Sequence, residues 1–109
     1  MSWITDVVVH LDLYGQGDVV EKFCNHAAKF EWSGRSGGLT LLSATAAGGS
    51  KVVCSHIVAG SFNHLPQDEY VAHLRTFAWG NIDAAAITLL PEEGPMVVDI
   101  LYQCPAPIY

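Results

Sequence analysis

Basic side chains are scarce in this sequence. Five Lys or Arg stand against eleven Asp or Glu in 109 residues, and the formal net charge at pH 7 is −6. Nucleic-acid binding requires clustered Lys and Arg to neutralise phosphates, so the scarcity argues against a nucleic-acid partner. Only 15% of the residues are charged and 50% are hydrophobic. This composition predicts a folded core and argues against a long disordered tail.

Long apolar runs are also missing. The longest falls far short of the roughly 18 residues that a membrane helix needs. Asp6 interrupts the N-terminal region before a signal-peptide core could form, and no basic leader precedes it. We therefore expect no membrane partner and a cytoplasmic location.

Cysteine is present in an odd and widely spaced set, namely Cys24, Cys54 and Cys104. This spacing argues against a disulfide framework or a zinc site. Each cysteine lies among apolar residues, which predicts buried thiols in a reducing compartment. We expect neither a metal nor a cofactor.

The acidic charge that is present belongs mostly to the second half of the chain. Residues 1–54 hold four basic and five acidic side chains, a net charge of −1, whereas residues 55–109 hold one basic and six acidic side chains, a net charge of −5. Such a bias attracts basic partners and accelerates encounter with them. Plain solubility is the alternative explanation for any single acidic residue.

The hydrophobic pattern predicts seven elements in the order β-α-β-β-α-β-β. Alternation of period two marks the first strand, and apolar stripes of helical spacing mark a first helix capped by Asp18 and a second one that starts near Pro66 and stops near Gly80. The predicted strands span residues 5–13, 39–46, 51–61, 84–90 and 96–104. The first helix spans 19–30, and the second runs from Pro66 to its stop at Gly80. Residues 33–38 form a glycine-rich loop, and residues 47–50 form a hairpin turn.

This order predicts a single α+β domain over residues 1–109. Both helices must hide their apolar stripes against a sheet, so we expect a mostly antiparallel, ferredoxin-like sheet with the two helices on one face.

No arrangement typical of catalysis is visible. The five histidines show neither His-x-His nor His-x-x-x-His spacing, and we place His26 and His73 on the solvent-exposed faces of the helices. The glycine-rich loops lack the Gly-Lys-Ser/Thr ending of a phosphate loop. We therefore assign no catalytic residue.

Acidic and aromatic residues around the second helix are better candidates, because Trp and Tyr anchor protein interfaces. Glu92 and Glu93, at the last hairpin turn, could reach into a basic partner. Trp32 and Trp79 could instead cap the ends of the core. The predicted partner-binding residues are Asn63, His64, Asp68, Glu69, Trp79, Asp83, Glu92 and Glu93.

A few residues resemble a known family. Gly60, followed by Asn63-His64 before an acidic helix start, together with Trp3-Ile4 and the element order, is similar to small immunity proteins of bacterial polymorphic-toxin systems. In one such family Gly-Trp-Ile opens the first strand and Asn-His precedes the second helix. Here Ser2 replaces that glycine, and residues 78–82 replace the family's Pro-Gly-Ser-Tyr-Gly stretch. The resemblance implies an inhibitor that binds a toxin domain and performs no catalysis.

Three functions remain open at this point. The first is an acidic cytoplasmic inhibitor of a basic protein, of the immunity-protein, antitoxin or phage anti-defence type. The second is a small ferredoxin-like enzyme or ligand-binding domain that uses His10, Asp12 and His56 on one sheet face. The third is a structural subunit that self-associates, for example as a homodimer, through that same face.

Overall fold

Two helices interrupt the series of strands along the chain. The computed structural model describes residues 3–13, 17–42, 56–79 and 82–103. In chain order the elements are β1 (Ile4–Leu13), α1 (Gly17–Ala28), β2 (Glu31–Trp32), β3 (Arg35–Ser36), β4 (Thr40–Leu41), β5 (His56–Asn63), α2 (Gln67–Arg75), β6 (Ile82–Pro91) and β7 (Val97–Gln103). The α+β class is confirmed.

Five strands form one sheet with the order β4-β5-β1-β6-β7, and every neighbouring pair is antiparallel. The first strand of the sequence thus lies in the middle, where Val9 is opposite Val58 of β5 on one side and Ile87 of β6 on the other. The predicted antiparallel sheet is confirmed.

Alternation along β1 separates a covered face of the sheet from an open one. Thr5, Val7, Val9 and Leu11 are fully buried. Residues directly opposite each other on paired strands share a face, so the buried residues of β5 and β6 extend this covered face. Both helices contribute to the same core through Val20, Phe23, Ala27, Tyr70, Val71 and Leu74.

The first helix is shifted by two residues from its predicted range. It begins at Gly17, so Asp18 lies inside the first turn instead of capping it, and there it lies 3.8 Å from Lys22 Nζ. The helix ends at Ala28, whose carbonyl accepts a hydrogen bond from Ser36 Oγ at 2.7 Å.

The predicted glycine-rich loop contains a small hairpin. β2 and β3 pair with each other, and Ser33 and Gly34 form the turn with positive φ angles of 47° and 76°. The chain then passes under the second helix, where Gly37 O accepts a hydrogen bond of 2.6 Å from the buried Tyr70 hydroxyl.

The second helix is shorter than predicted. Pro66 is its N-cap residue in an extended conformation, and the helix ends before Thr76. Ala78 is consequently exposed, although Phe77 still packs edge-on against Phe23 with ring centroids 5.3 Å apart. The predicted hairpin turn at 47–50 and the stop at Gly80 lie outside the described residues.

Candidate functional site

Six of the predicted partner-binding residues lie at the end of the sheet where β1 begins. The backbone N–H of Glu92 donates to Ile4 O at 2.7 Å, and that of His64 donates to Trp3 O at 2.8 Å. Gln67 Nε2, at the start of α2, lies 3.4 Å from Thr5 Oγ1. We call this surface the acidic end; it comprises Asn63, His64, Asp68, Glu69, Glu92 and Glu93.

The acidic end combines carboxylates with aromatic and apolar surface. All six of its residues are exposed, and the neighbouring Trp3 and Ile4 are 42% and 37% exposed. Asn63 O accepts a hydrogen bond of 3.0 Å from the indole N–H of Trp32, while His64 turns the chain with a φ of 52°. Backbone contacts therefore hold this turn and leave the side chains of Asn63 and His64 available to a partner.

Trp79 and Asp83, the other two predicted partner-binding residues, lie at the opposite end of the sheet. Ile82, where β6 starts, pairs with Leu13, where β1 ends. Trp79 stacks on Tyr102 with centroids 5.2 Å apart, and its indole N–H donates to Arg75 O at 3.1 Å. This half-buried ring caps the core, as the alternative interpretation expected.

The two helical histidines are not solvent-facing as predicted. The rings of His26 and His73 stack with centroids 4.3 Å apart and an interplanar angle of 9°. Each Nε2 also bonds the other residue's backbone carbonyl, His26 at 2.9 Å and His73 at 2.7 Å. The pair joins α1 to α2, so its observed role is packing.

The open face of the sheet carries a groove of about 470 Å³ that the sequence analysis did not identify. Its floor and walls come from β1, β6 and β7. The lining residues are His10, Asp12, Ala84, Ala85, Ala86, Ile100, Tyr102 and Gln103.

Strand pairing explains the groove. On the open face His10, Ala86 and Ile100 form one row across three strands, and Asp12, Ala84 and Gln103 form the next. An alanine in the middle of each row leaves a depression between larger side chains. The run Ala84-Ala85-Ala86 was the available sequence signal, but its neighbours depend on pairing between distant segments.

His56 does not share this face with His10, so the predicted grouping of these two histidines is wrong. His56 is opposite Leu11, which is fully buried on the covered face, whereas His10 is opposite Ile57. Adjacent positions of a strand point to opposite sides of the sheet. Of the residues proposed for an enzymatic face, His10 and Asp12 remain together.

Charge on the long strands is entirely negative. β1, β5, β6 and β7 contain Asp6, Asp12, Asp83 and Asp99 but no Lys or Arg. Asp6 accepts a hydrogen bond of 2.6 Å from Ser61 Oγ. At the β7 edge, the Ile100 N–H and then Arg75, 2.7 Å away, lower the pKa of the exposed Asp99 carboxyl.

Two groups that could act as nucleophiles have raised pKa values. Burial, and then the nearby Glu21, raise the pKa of the half-buried Cys24 thiol, which disfavours the reactive thiolate. Burial likewise raises the pKa of Tyr70. Cys54 and Cys104 lie outside the described residues.

Metal-binding clusters and membrane-spanning helices were both absent from the described part of the chain. It contains no group of three or more His, Cys, Asp or Glu side chains that could hold a metal ion. It contains no helix that is both long and apolar enough to cross a membrane.

The chain was also compared with known proteins. No protein family, curated protein or solved structure matches it. The site must therefore be interpreted from its own geometry.

Proposed function

We propose that this chain is a small cytoplasmic inhibitor that binds and neutralises a basic protein, as an immunity protein, antitoxin or phage anti-defence protein does. The observation that carries the proposal is the acidic end. Two acidic pairs, Asp68-Glu69 and Glu92-Glu93, flank the first residues of β1 although more than twenty positions separate them in the chain. Carboxylates on one exposed surface beside Trp3 suit a basic partner.

The proposed architecture is a ferredoxin-like plan with one added edge strand. The order β4-β5-β1-β6 supports it. The strand β4, which follows α1, lies at the edge beside β5, and the strand β6, which follows α2, lies on the other side of β1, as this plan requires. β7 then extends the sheet beside β6. In this plan the connections before α2 and after β6 both come to the acidic end.

A test begins with affinity capture of a binding protein from the source organism. The captured protein should be basic, and its activity should be suppressed by the wild-type chain. The affinity is then measured for a variant with charge reversals Asp68→Lys, Glu69→Lys, Glu92→Lys and Glu93→Lys. We expect at least a tenfold loss of affinity and a weaker dependence on salt, since surface charges of opposite sign act on association and are screened by ions.

The control variant reverses four acidic residues away from this end: Asp18, Glu21, Asp83 and Asp99. It has the same net charge as the test variant and should bind the partner more tightly than the test variant does. Circular dichroism should show that both variants are folded. Equal affinity of the two variants, or wild-type affinity of the test variant, would contradict binding through the acidic end.

A further inference from the structure

We propose that the groove on the open sheet face accepts an arginine side chain of a partner protein. This inference rests on the proposed function, because it identifies a second contact for the same basic partner. It concerns a different surface from the acidic end, so the two can be tested separately.

The shape of the groove suits a flat group. Ala84 and Ala86 form a floor of methyl groups, and Asp12 and Gln103 lie on either side of Ala84 in the same cross-strand row, two strands apart. Two strand spacings amount to about 10 Å. A planar guanidinium can lie on this floor, donate to the Asp12 carboxylate and donate to the Gln103 side-chain oxygen.

Charge complementarity supports a cationic occupant. Asp12 lines the groove, Asp6 lies on the same face, and the four long strands contain no Lys or Arg that could neutralise them. Arginine fits better than lysine because its guanidinium is planar, stacks on flat surfaces and bonds a carboxylate through two parallel N–H groups.

The surroundings indicate a macromolecule as the source of the arginine. Apolar side chains continue past the groove on the same face: Leu90 is 42% exposed, Val98 is 64% exposed and Ile100 is 57% exposed. Isolated exposed apolar residues are ordinary, but a contiguous apolar surface around a polar site marks a protein contact. A partner protein would cover this rim while its arginine enters the groove.

A second copy of the chain fits this face poorly. Face-to-face stacking would bring together Asp6 and Asp12 of both copies without a cation from the long strands. Strand addition at β7 meets another obstacle, because Ile100 O already accepts a bond of 3.1 Å from Arg75 and Ile100 N–H donates to Asp99 Oδ1 at 2.8 Å. A heterologous cationic partner avoids both problems.

The direct test is a titration followed by NMR chemical shifts, with N-acetyl-arginine N-methylamide as the probe. The matched probes are the lysine and citrulline derivatives, which lack the guanidinium plane and the charge, respectively. We expect arginine to shift the backbone signals of Asp12, Ala84, Ala86 and Gln103 at lower concentration than either matched probe. Equal effects of the three probes, or shifts that map elsewhere, would overturn the proposal.

Two variants address the groove itself. Asp12→Asn should weaken arginine binding at least fivefold, whereas Asp18→Asn, which removes the same charge from exposed α1, should change it less than twofold. Ala86→Leu fills the floor without changing charge and should abolish binding, whereas Ala72→Leu on exposed α2 should not. Unfolding midpoints establish that each variant is folded, and wild-type binding by folded D12N and A86L would overturn the proposal.

The acidic-end variant separates this inference from the proposed function. It should bind the arginine probe as the wild type does, because the groove is unchanged. If it loses the partner while the groove fails to bind arginine, the function stands and this inference fails. If the groove binds arginine while the acidic-end variant keeps wild-type affinity for the partner, binding through the acidic end fails and the arginine groove stands.

Discussion

The two faces of the central strand, β1, differ in burial and in charge. On the covered face Thr5, Val7, Val9 and Leu11 are fully buried and uncharged, whereas the open face presents Asp6, Val8, His10 and Asp12. Thr5, the polar residue of β1 on the covered face, has a partner in Gln67. The open side keeps charge and apolar surface together, and both described helices pack on the other side.

This difference places the contacts that stabilise the fold on one side of the sheet and the proposed arginine groove on the other. Burial of apolar side chains against α1 and α2 stabilises the fold. The exposed carboxylates contribute little to folding, because charges in water interact weakly. They are therefore available for a partner, and substitutions on the two sides should have separable effects.

The largest expected effect comes from one residue type placed on both faces. Ile87 is fully buried and Ile100 is 57% exposed. Ile87→Ala should cost about 2–5 kcal/mol of unfolding free energy because it leaves a cavity, whereas Ile100→Ala should cost about 0.5 kcal/mol or less. Urea unfolding measures both. Similar losses would mean that the open face is covered in solution, for instance by self-association, which sedimentation would detect.

A smaller effect is expected where the chain passes beneath the second helix. A Cβ atom added at Gly37 would collide with the ring of Tyr70 and lie 3.2 Å from Ala27 O, whereas one added at Gly38 would meet Ala28 Cβ at an ordinary 3.4 Å. Gly37→Ala should destabilise by about 1–3 kcal/mol through overpacking. Gly38→Ala is the matched control, with a change within about 0.5 kcal/mol. Thermal unfolding measures the midpoints of the two variants. Equal midpoints would contradict the close packing of Gly37 against Tyr70.

The smallest effect concerns the exposed edge of β7. The pKa of Asp99 is lowered from its ordinary 3.8, first by the Ile100 N–H and then by Arg75. Because the pKa is lowered in the folded state, the ionised Asp99 carboxylate stabilises the fold above pH 3.8. This stabilisation is lost as the pH falls through the folded-state pKa. Unfolding midpoints between pH 2 and 7 should therefore fall less steeply with acid in Asp99→Asn than in the wild type.

Arg75→Gln provides the comparison for that measurement. It removes the guanidinium but leaves the larger contribution from the backbone N–H, so more of the acid dependence should persist than in Asp99→Asn. Wild-type acid dependence in Asp99→Asn would show that this edge carries no linked protonation.

Local patterns predicted the elements but not their neighbours. Alternation in β1 separates Val7, Val9 and Leu11 from the face that carries Asp6, His10 and Asp12. The first three are fully buried, because period two is a property of each strand alone. Helical spacing put His26 and His73 on exposed helix faces, although each has a partner 47 positions away on the other helix. His56 was likewise grouped with His10, because the pattern within a strand does not give the register between two strands.

The candidate site shows the same division. The sequence alone located two acidic pairs, but whether they formed one surface depended on β5 and β6 both pairing with β1. Trp79 was a reasonable interface residue by type, yet stacking on Tyr102 places it at the end of the core. The groove on the open face could not be predicted from the sequence, because its lining residues come from three strands.

Composition and short-range patterns were enough to predict the α+β class, the excess of acid in the second half and the apolar face of the central strand. Each of these follows from composition or from a repeat over a few residues, which local backbone geometry converts directly into structure. Only the folded arrangement shows that the acidic pairs lie at the same end of the sheet, that the histidines stack and that Asp12 borders a groove. These features depend on antiparallel register between distant segments, and a shift of one residue would move every side chain to the other face.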